Sequence, residues 1–136
     1  MQSQGKQGLN LYERSRSTYE FIKDAPELPY GDRPVHVFTN RPVDPRDGFT
    51  FYAKNPVDAV SDWQRLGFGH VYVDGGNLIS QFLEAGLIDE MTITVAPILL
   101  GSGKRLFHRI LTTTPLQLVN SKSFPSGMVT LQYQRS

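Results

Sequence analysis

The chain is a series of short apolar segments separated by clusters of Pro, Gly, Asp and Asn. In PVHVFTN, Val35, Val37 and Thr39 fall on one face of a strand. FTFYA reads as a short strand with bulky residues on both faces, and GHVYVD as another. MTITVAP alternates, with Met91, Ile93 and Val95 on one side and Thr92 and Thr94 on the other; Pro97 marks an edge or the strand's end. The runs LQLVNSKSF and MVTLQYQ, joined by PSG, predict an antiparallel hairpin. The first ten residues read as a loose end.

Three segments carry helix punctuation. Ser17 followed by Glu20 forms a capping box, which predicts a short helix from about Thr18 to Lys23, ended by Pro26. In NPVDAVSDWQRLG, Asn55 suits the N-cap, Pro56 the first turn and Gly67 the left-handed position after the helix. Val57, Val60 and Trp63 or Gln64 share about one face, with Leu66 near the end. From Asn77, the apolar residues Leu78, Ile79, Phe82 and Leu83 recur at helical spacing up to Gly86. The order is helix, strand, strand, helix, strand, helix, strand, hairpin. It predicts an α/β fold with a mainly parallel sheet and an antiparallel end.

At 136 residues the chain is expected to be one domain, with a formal net charge of +1 that leaves no electrostatic footprint for nucleic acid. The absence of cysteine removes disulfides, thiol catalysis and the common zinc sites. His36, His70 and His108 are far apart in sequence, so no metal site is expected. No apolar run reaches the roughly 18 residues of a membrane span, and the polar start lacks a signal core. The expected location is cytoplasmic.

The segment VYVDGGNLISQFLEAGLIDEM poses the functional question. Gly75 and Gly76 can simply turn a strand into a helix. They can also let a phosphate approach backbone N–H groups at the helix N-terminus, where the helix dipole favours negative charge. The pattern is not the GxGxxG of a dinucleotide-binding turn.

Extended to VYVDGGNLISQFLEAGLIDEMTITVAPILLGSGKRLF, the segment resembles the signature region of the dihydrofolate reductase-like superfamily. It is most similar to the reductase domain of the riboflavin-biosynthesis bifunctional deaminase–reductase and its stand-alone relatives. RSTYE, PYGDRPVHVFTNR and the Trp63 helix resemble further family motifs in the same order, so the resemblance covers about residues 12 to 135. It implies a three-layer α/β/α fold with a mostly parallel central sheet, and an NADPH-dependent reductase acting on a pterin-like or ribosylamino-pyrimidine substrate. By position, Gly75, Gly76, Asn77 and Leu78 become pyrophosphate contacts, often through a cis Gly-Gly peptide in that family. Arg16, Ser17 and Thr18 become contacts to another phosphate, with Arg14 competing for the role of Arg16. Thr39, Asn40 and Arg41 match the part that holds the adenosine 2′-phosphate. No catalytic acid is assigned. The resemblance also implies a homodimer, with the hairpin and the Met91–Val95 strand near its interface.

Other polar residues have simpler readings. Asp89 and Glu90 cap backbone groups or face solvent; Lys104 and Arg105 belong to a solvated turn; His36 is structural. Nothing before Leu11 resembles the family's first strand and its S-x-D-G-x-I-A motif. The domain is therefore expected to start inside the fold, as if truncated at its N-terminus. This departure sustains a second reading: a non-catalytic remnant, or a nucleotide-binding or dimerisation module of the same fold.

Overall fold

The computed structural model describes residues 9–15 by their backbone, and residues 23–27, 33–39, 49–108 and 110–136 in full. The elements are β1 (Leu9–Ser15), β2 (Val35–Phe38), β3 (Phe49–Tyr52), α1 (Pro56–Arg65), β4 (Phe68–Val73), α2 (Gly76–Glu84), β5 (Glu90–Val95), β6 (Leu116–Ser123) and β7 (Val129–Arg135). The helix expected from Thr18 lies outside the described residues.

Among the described residues, two sheets form where one was expected. Four parallel strands run in the order β3-β2-β1-β4, and three antiparallel strands in the order β5-β7-β6. The second sheet contains the expected hairpin, and β5 stops before Pro97 as its proline required.

The N-terminal reading needs correction. Leu9 and Asn10, the last of the ten residues expected to be a loose end, instead begin a central strand, Leu9–Ser15, paired with β2 on one side and β4 on the other. Asn10, Glu13 and Arg14 interrupt the near-continuous apolar run by which a central parallel strand is usually read. The pairing is imposed by two neighbouring backbones rather than by side-chain pattern, a context that routinely overrides strand propensity.

Helix α1 begins as its punctuation dictates. The Asn55 side chain accepts from the Asp58 N–H at 3.0 Å, Pro56 opens the first turn, and Gly67 beyond the helix takes φ 84°. Its apolar face buries Ala59 and Trp63 against Leu78 and Phe82 of α2. Trp63 and Phe82 stack with centroids 6.1 Å apart. Phe38, Tyr52, Val71 and Val73 supply the sheet side of this core. The polar face of α1 carries Asp62, bonded to Lys54 and Arg65 at the surface, where such pairs contribute little.

One polar side chain sits inside this packing. His36 on β2 is 5% exposed, stacks on Tyr52 at 4.9 Å, and accepts a 2.9 Å hydrogen bond from the Trp63 indole at Nδ1. The bond fixes the neutral tautomer and ties α1 to β2. Burial pushes its pKa down to about 4. The structural reading of His36 therefore stands, because the neutral ring is what the site accommodates.

A buried neutral histidine makes stability pH-dependent. Its contribution is complete above the unfolded pKa and is lost as pH falls toward the folded value, so the window runs from about 6.5 down to about 4. Urea unfolding at pH 5 should show roughly 2 kcal/mol less stability than at pH 7.5 from this group alone. His36→Gln, which can still accept from Trp63, should flatten that part of the profile.

Candidate functional site

The parallel sheet brings three strand ends together. In the order β2-β1-β4, the register pairs Ser15 with Phe38 and Glu13 with Val73, so the C-terminal ends of all three strands lie along one edge. Each group of candidate residues follows one of these ends: Arg16, Ser17 and Thr18 after β1; Thr39, Asn40 and Arg41 after β2; Gly75, Gly76, Asn77 and Leu78 after β4. In open α/β sheets this edge is where ligands bind. Arg16, Ser17, Thr18, Asn40 and Arg41 themselves lie outside the described residues. Thr39 is half-buried and its N–H donates to the Tyr52 carbonyl at 2.8 Å, fastening the end of β2 to the end of β3.

Helices α1 and α2 begin differently. An asparagine caps α1, whereas no side chain caps α2, whose N-cap is Gly75 at φ 99°. The first α2 donor to find its helical partner is the Ile79 N–H, bonded to the Gly75 carbonyl at 2.9 Å. The N–H groups of Gly76, Asn77 and Leu78 precede it at the positive end of the helix, an arrangement suited to an anion. The Leu78 side chain is 2% exposed and belongs to the core, so any ligand contact from this residue is through its backbone. The turn needs no cis peptide: none occurs among the described residues, and the positive φ of Gly75 redirects the chain instead. A residue with a Cβ would be strained at that angle.

Gly76 serves a different need. A Cβ there would overlap the carbonyl oxygen of Leu106 and touch the His108 ring. The loop after β5 therefore lies directly on the first turn of α2. Ser80 continues the contact: 3% exposed, it donates to the Gly76 carbonyl at 2.6 Å and accepts from the His108 N–H at 2.9 Å. One turn on, the Glu84 carboxylate accepts from the Leu111 and Thr112 N–H groups. Gly76, Ser80 and Glu84 are four apart and form one stripe of α2. The sequence reading missed this stripe because it searched the helix for apolar periodicity. Its signal was a small, a polar and an acidic residue at helical spacing. Lys104 and Arg105 are exposed on the same loop, as expected of a solvated turn. Asp89 and Glu90 are exposed too, and the Asp89 carbonyl accepts from the Arg135 N–H at 2.9 Å.

The model of the RibD C-terminal domain matches residues 28–130. The chain belongs to this family. It is therefore of the reductase-domain type that its glycine-pair segment resembles. Among its relatives is the uncharacterized protein YwjB of Bacillus subtilis, 36% identical over an alignment of 124 residues that covers 89% of this chain and 71% of YwjB. A second protein of that organism, YyaP, is 39% identical over 84 residues, 61% of this chain and 45% of YyaP. A structure from Shewanella sp. PV-4, of a protein named for riboflavin biosynthesis, superposes with a TM-score of 0.84 at 30% identity, over 96% of this chain and 75% of that one. RibD of Acinetobacter baumannii shares the fold at a TM-score of 0.67 and 18% identity, over 95% of this chain and 47% of its own. No helix among the described residues is long and apolar enough to cross a membrane.

Ser80→Ala should leave the His108 N–H without its acceptor. The expected loss is about 1–2 kcal/mol of stability, with faster hydrogen exchange at the His108 amide. Gly76→Ala should be worse, about 1–3 kcal/mol, because the loop carrying Leu106 must move away from the helix. Urea denaturation and amide exchange on the two variants check both.

Proposed function

We propose that the protein is an NADPH-dependent reductase, with the cofactor phosphates at the shared C-terminal edge of β1, β2 and β4. The observation that carries this reading is the uncapped N-terminus of α2 at that edge. The residues there fit a pyrophosphate: a glycine turn without side-chain bulk, and successive backbone N–H groups at the positive end of a helix. Gly75, Gly76, Asn77 and Leu78 would hold the pyrophosphate through their backbones. Arg16, Ser17 and Thr18 would meet a second phosphate. Thr39, Asn40 and Arg41 would hold the adenosine 2′-phosphate, where the planar, permanently charged guanidinium of Arg41 suits the dianion.

When bound, the nicotinamide supplies the hydride, and the protein supplies binding, orientation and electrostatics. The substrate in this reading is a pterin-like or ribosylamino-pyrimidine compound, the class implied by resemblance to the riboflavin-pathway reductase. Family membership and the neighbours named for riboflavin biosynthesis and RibD support the choice. In the same reading, the parallel sheet is the middle of a three-layer α/β/α fold. Two copies pair through the antiparallel sheet, whose β6 exposes Leu116, Leu118 and Val119. The protein works in the cytoplasm.

The alternative of a non-catalytic nucleotide-binding module differs in one respect: it predicts binding without turnover. Oxidation of NADPH with a ribosylamino-pyrimidine or a dihydropterin, beside an active control reductase, separates the two. Turnover supports the reductase; binding without turnover on any of these substrates supports the module. Arg41→Ala should weaken NADPH binding by about ten- to a hundredfold and leave NADH binding nearly unchanged, since it removes one charge-assisted contact to the 2′-phosphate. Equal losses for both cofactors would remove Arg41 from that role. Light scattering at micromolar concentration should give the mass of a dimer; a monomer would remove the pairing through β6.

A further inference from the structure

A net charge near zero conceals a strong segregation of charge along the chain. Residues 1–90 hold thirteen Asp and Glu against nine Lys and Arg. Residues 91–136 hold five cations, Lys104, Arg105, Arg109, Lys122 and Arg135, and no acid. The fold gathers part of this basic segment at one place. β5 ends at Val95 and β6 at Ser123, both opposite Val129 at the start of β7. The loop after β5 and the β6–β7 turn therefore leave the antiparallel sheet at the same end. The Pro97 ring lies against Gly127, 3.1 Å from where a Cβ would stand, and sets the loop beside the turn.

That end of the sheet is apolar at its tip. Val95, Ile98, Leu99, Leu100, Phe124 and Met128 are all exposed, and Leu99, at 99%, touches almost nothing of its own chain. A single exposed leucine needs no explanation, but a group of apolar side chains on two adjacent connections does. Cations rim the group. Lys104 and Arg105 are exposed on the same loop just beyond Leu100, and the Lys122 ammonium lies 4.9 Å from the centroid of the Phe124 ring. The rim decides between occupants. A second copy docked tip to tip would set these cations against their own counterparts, with no acid in residues 91–136 to meet them. The side chains project from turns, so there is no groove for a helix or a peptide to fill. An anionic bilayer meets both demands at once, with hydrocarbon for the tip and headgroup charge for the rim.

We infer that this end of the antiparallel sheet is a peripheral docking tip for an anionic membrane surface. Ile98, Leu99, Leu100 and Phe124 enter the boundary between headgroups and acyl chains, and Lys104, Arg105 and Lys122 meet the headgroups. A few apolar side chains and three cations make such binding weak, reversible and sensitive to salt. The loop is suited to the task because Gly101, at φ 70°, turns the chain back after the three apolar residues and brings the two cations behind them. This inference does not depend on the cofactor reading.

The test is co-sedimentation of the protein with vesicles of phosphatidylcholine alone and with about 30% phosphatidylglycerol. The anionic vesicles should bind it at least about tenfold more tightly, and high salt should remove the preference. Lys104→Gln combined with Arg105→Gln should weaken binding to the anionic vesicles by about thirtyfold. Leu99→Ser combined with Leu100→Ser should weaken it by at least about tenfold, with an unchanged circular dichroism spectrum. Equal binding to both vesicles, or binding to neither, overturns the inference. Binding that survives in the leucine variant also overturns it, because charge adsorption alone would then explain the result. If the parent chain ignores vesicles and light scattering shows a dimer that the leucine variant dissolves, the tip belongs to a second copy, and the inference falls as well.

Discussion

The hydrogen-bonded pairing of β1 with both β2 and β4 is the constraint on which the rest of the structure depends. It makes three strands parallel neighbours and sets their register, so that Ser15, Phe38 and Val73 end along one edge. Residues far apart in sequence then leave the sheet side by side. No single group of them makes an argument for a site; a shared point of departure does. The aromatic core works to the same end. Trp63 bonds to His36 on β2 and stacks on Phe82 of α2, which holds α2 over the sheet whose edge it extends.

The glycine pair resolves into two separate requirements. Gly75 supplies a backbone angle that redirects the chain from β4 into α2 without a side-chain cap. Gly76 supplies space, so that the Leu106 carbonyl can lie on the first turn. Ser80 and Glu84 continue that contact, and together they fix the helix start between the sheet edge and the loop. A fixed helix start is what an anion site needs, since donors already in place lose little freedom when a ligand arrives.

What was legible in the sequence follows from how each element is held. α1 announced itself because its caps are local: Asn55, Pro56 and Gly67 act within a few residues of themselves. The hairpin did so because turn and strands are contiguous, and α2 because its buried face is apolar. β1 was hidden because its partners are Val35 to Phe38 and Phe68 to Val73, and no local pattern encodes partners so distant. The stripe of Gly76, Ser80 and Glu84 was hidden for a related reason, since its meaning depends on a loop about 30 residues further on. The division into two sheets could not be read either, because alternation predicts strands and not which edges meet. At the site, the glycine pair was recognisable by its setting between strand and helix, and burial of the Leu78 side chain in the core leaves the backbone of that residue for a ligand.

In the proposed function, the shared edge of β1, β2 and β4, with the start of α2, receives the phosphates of NADPH. Backbone amide chemical shifts recorded during an NADPH titration test it most directly. The account predicts the largest changes at Gly75 through Leu78 and at the residues that follow Ser15 and Phe38, with smaller changes under NADH at the residues after Phe38. Changes confined to β6 and β7, or a folded chain whose spectrum NADPH leaves unaltered, would contradict it.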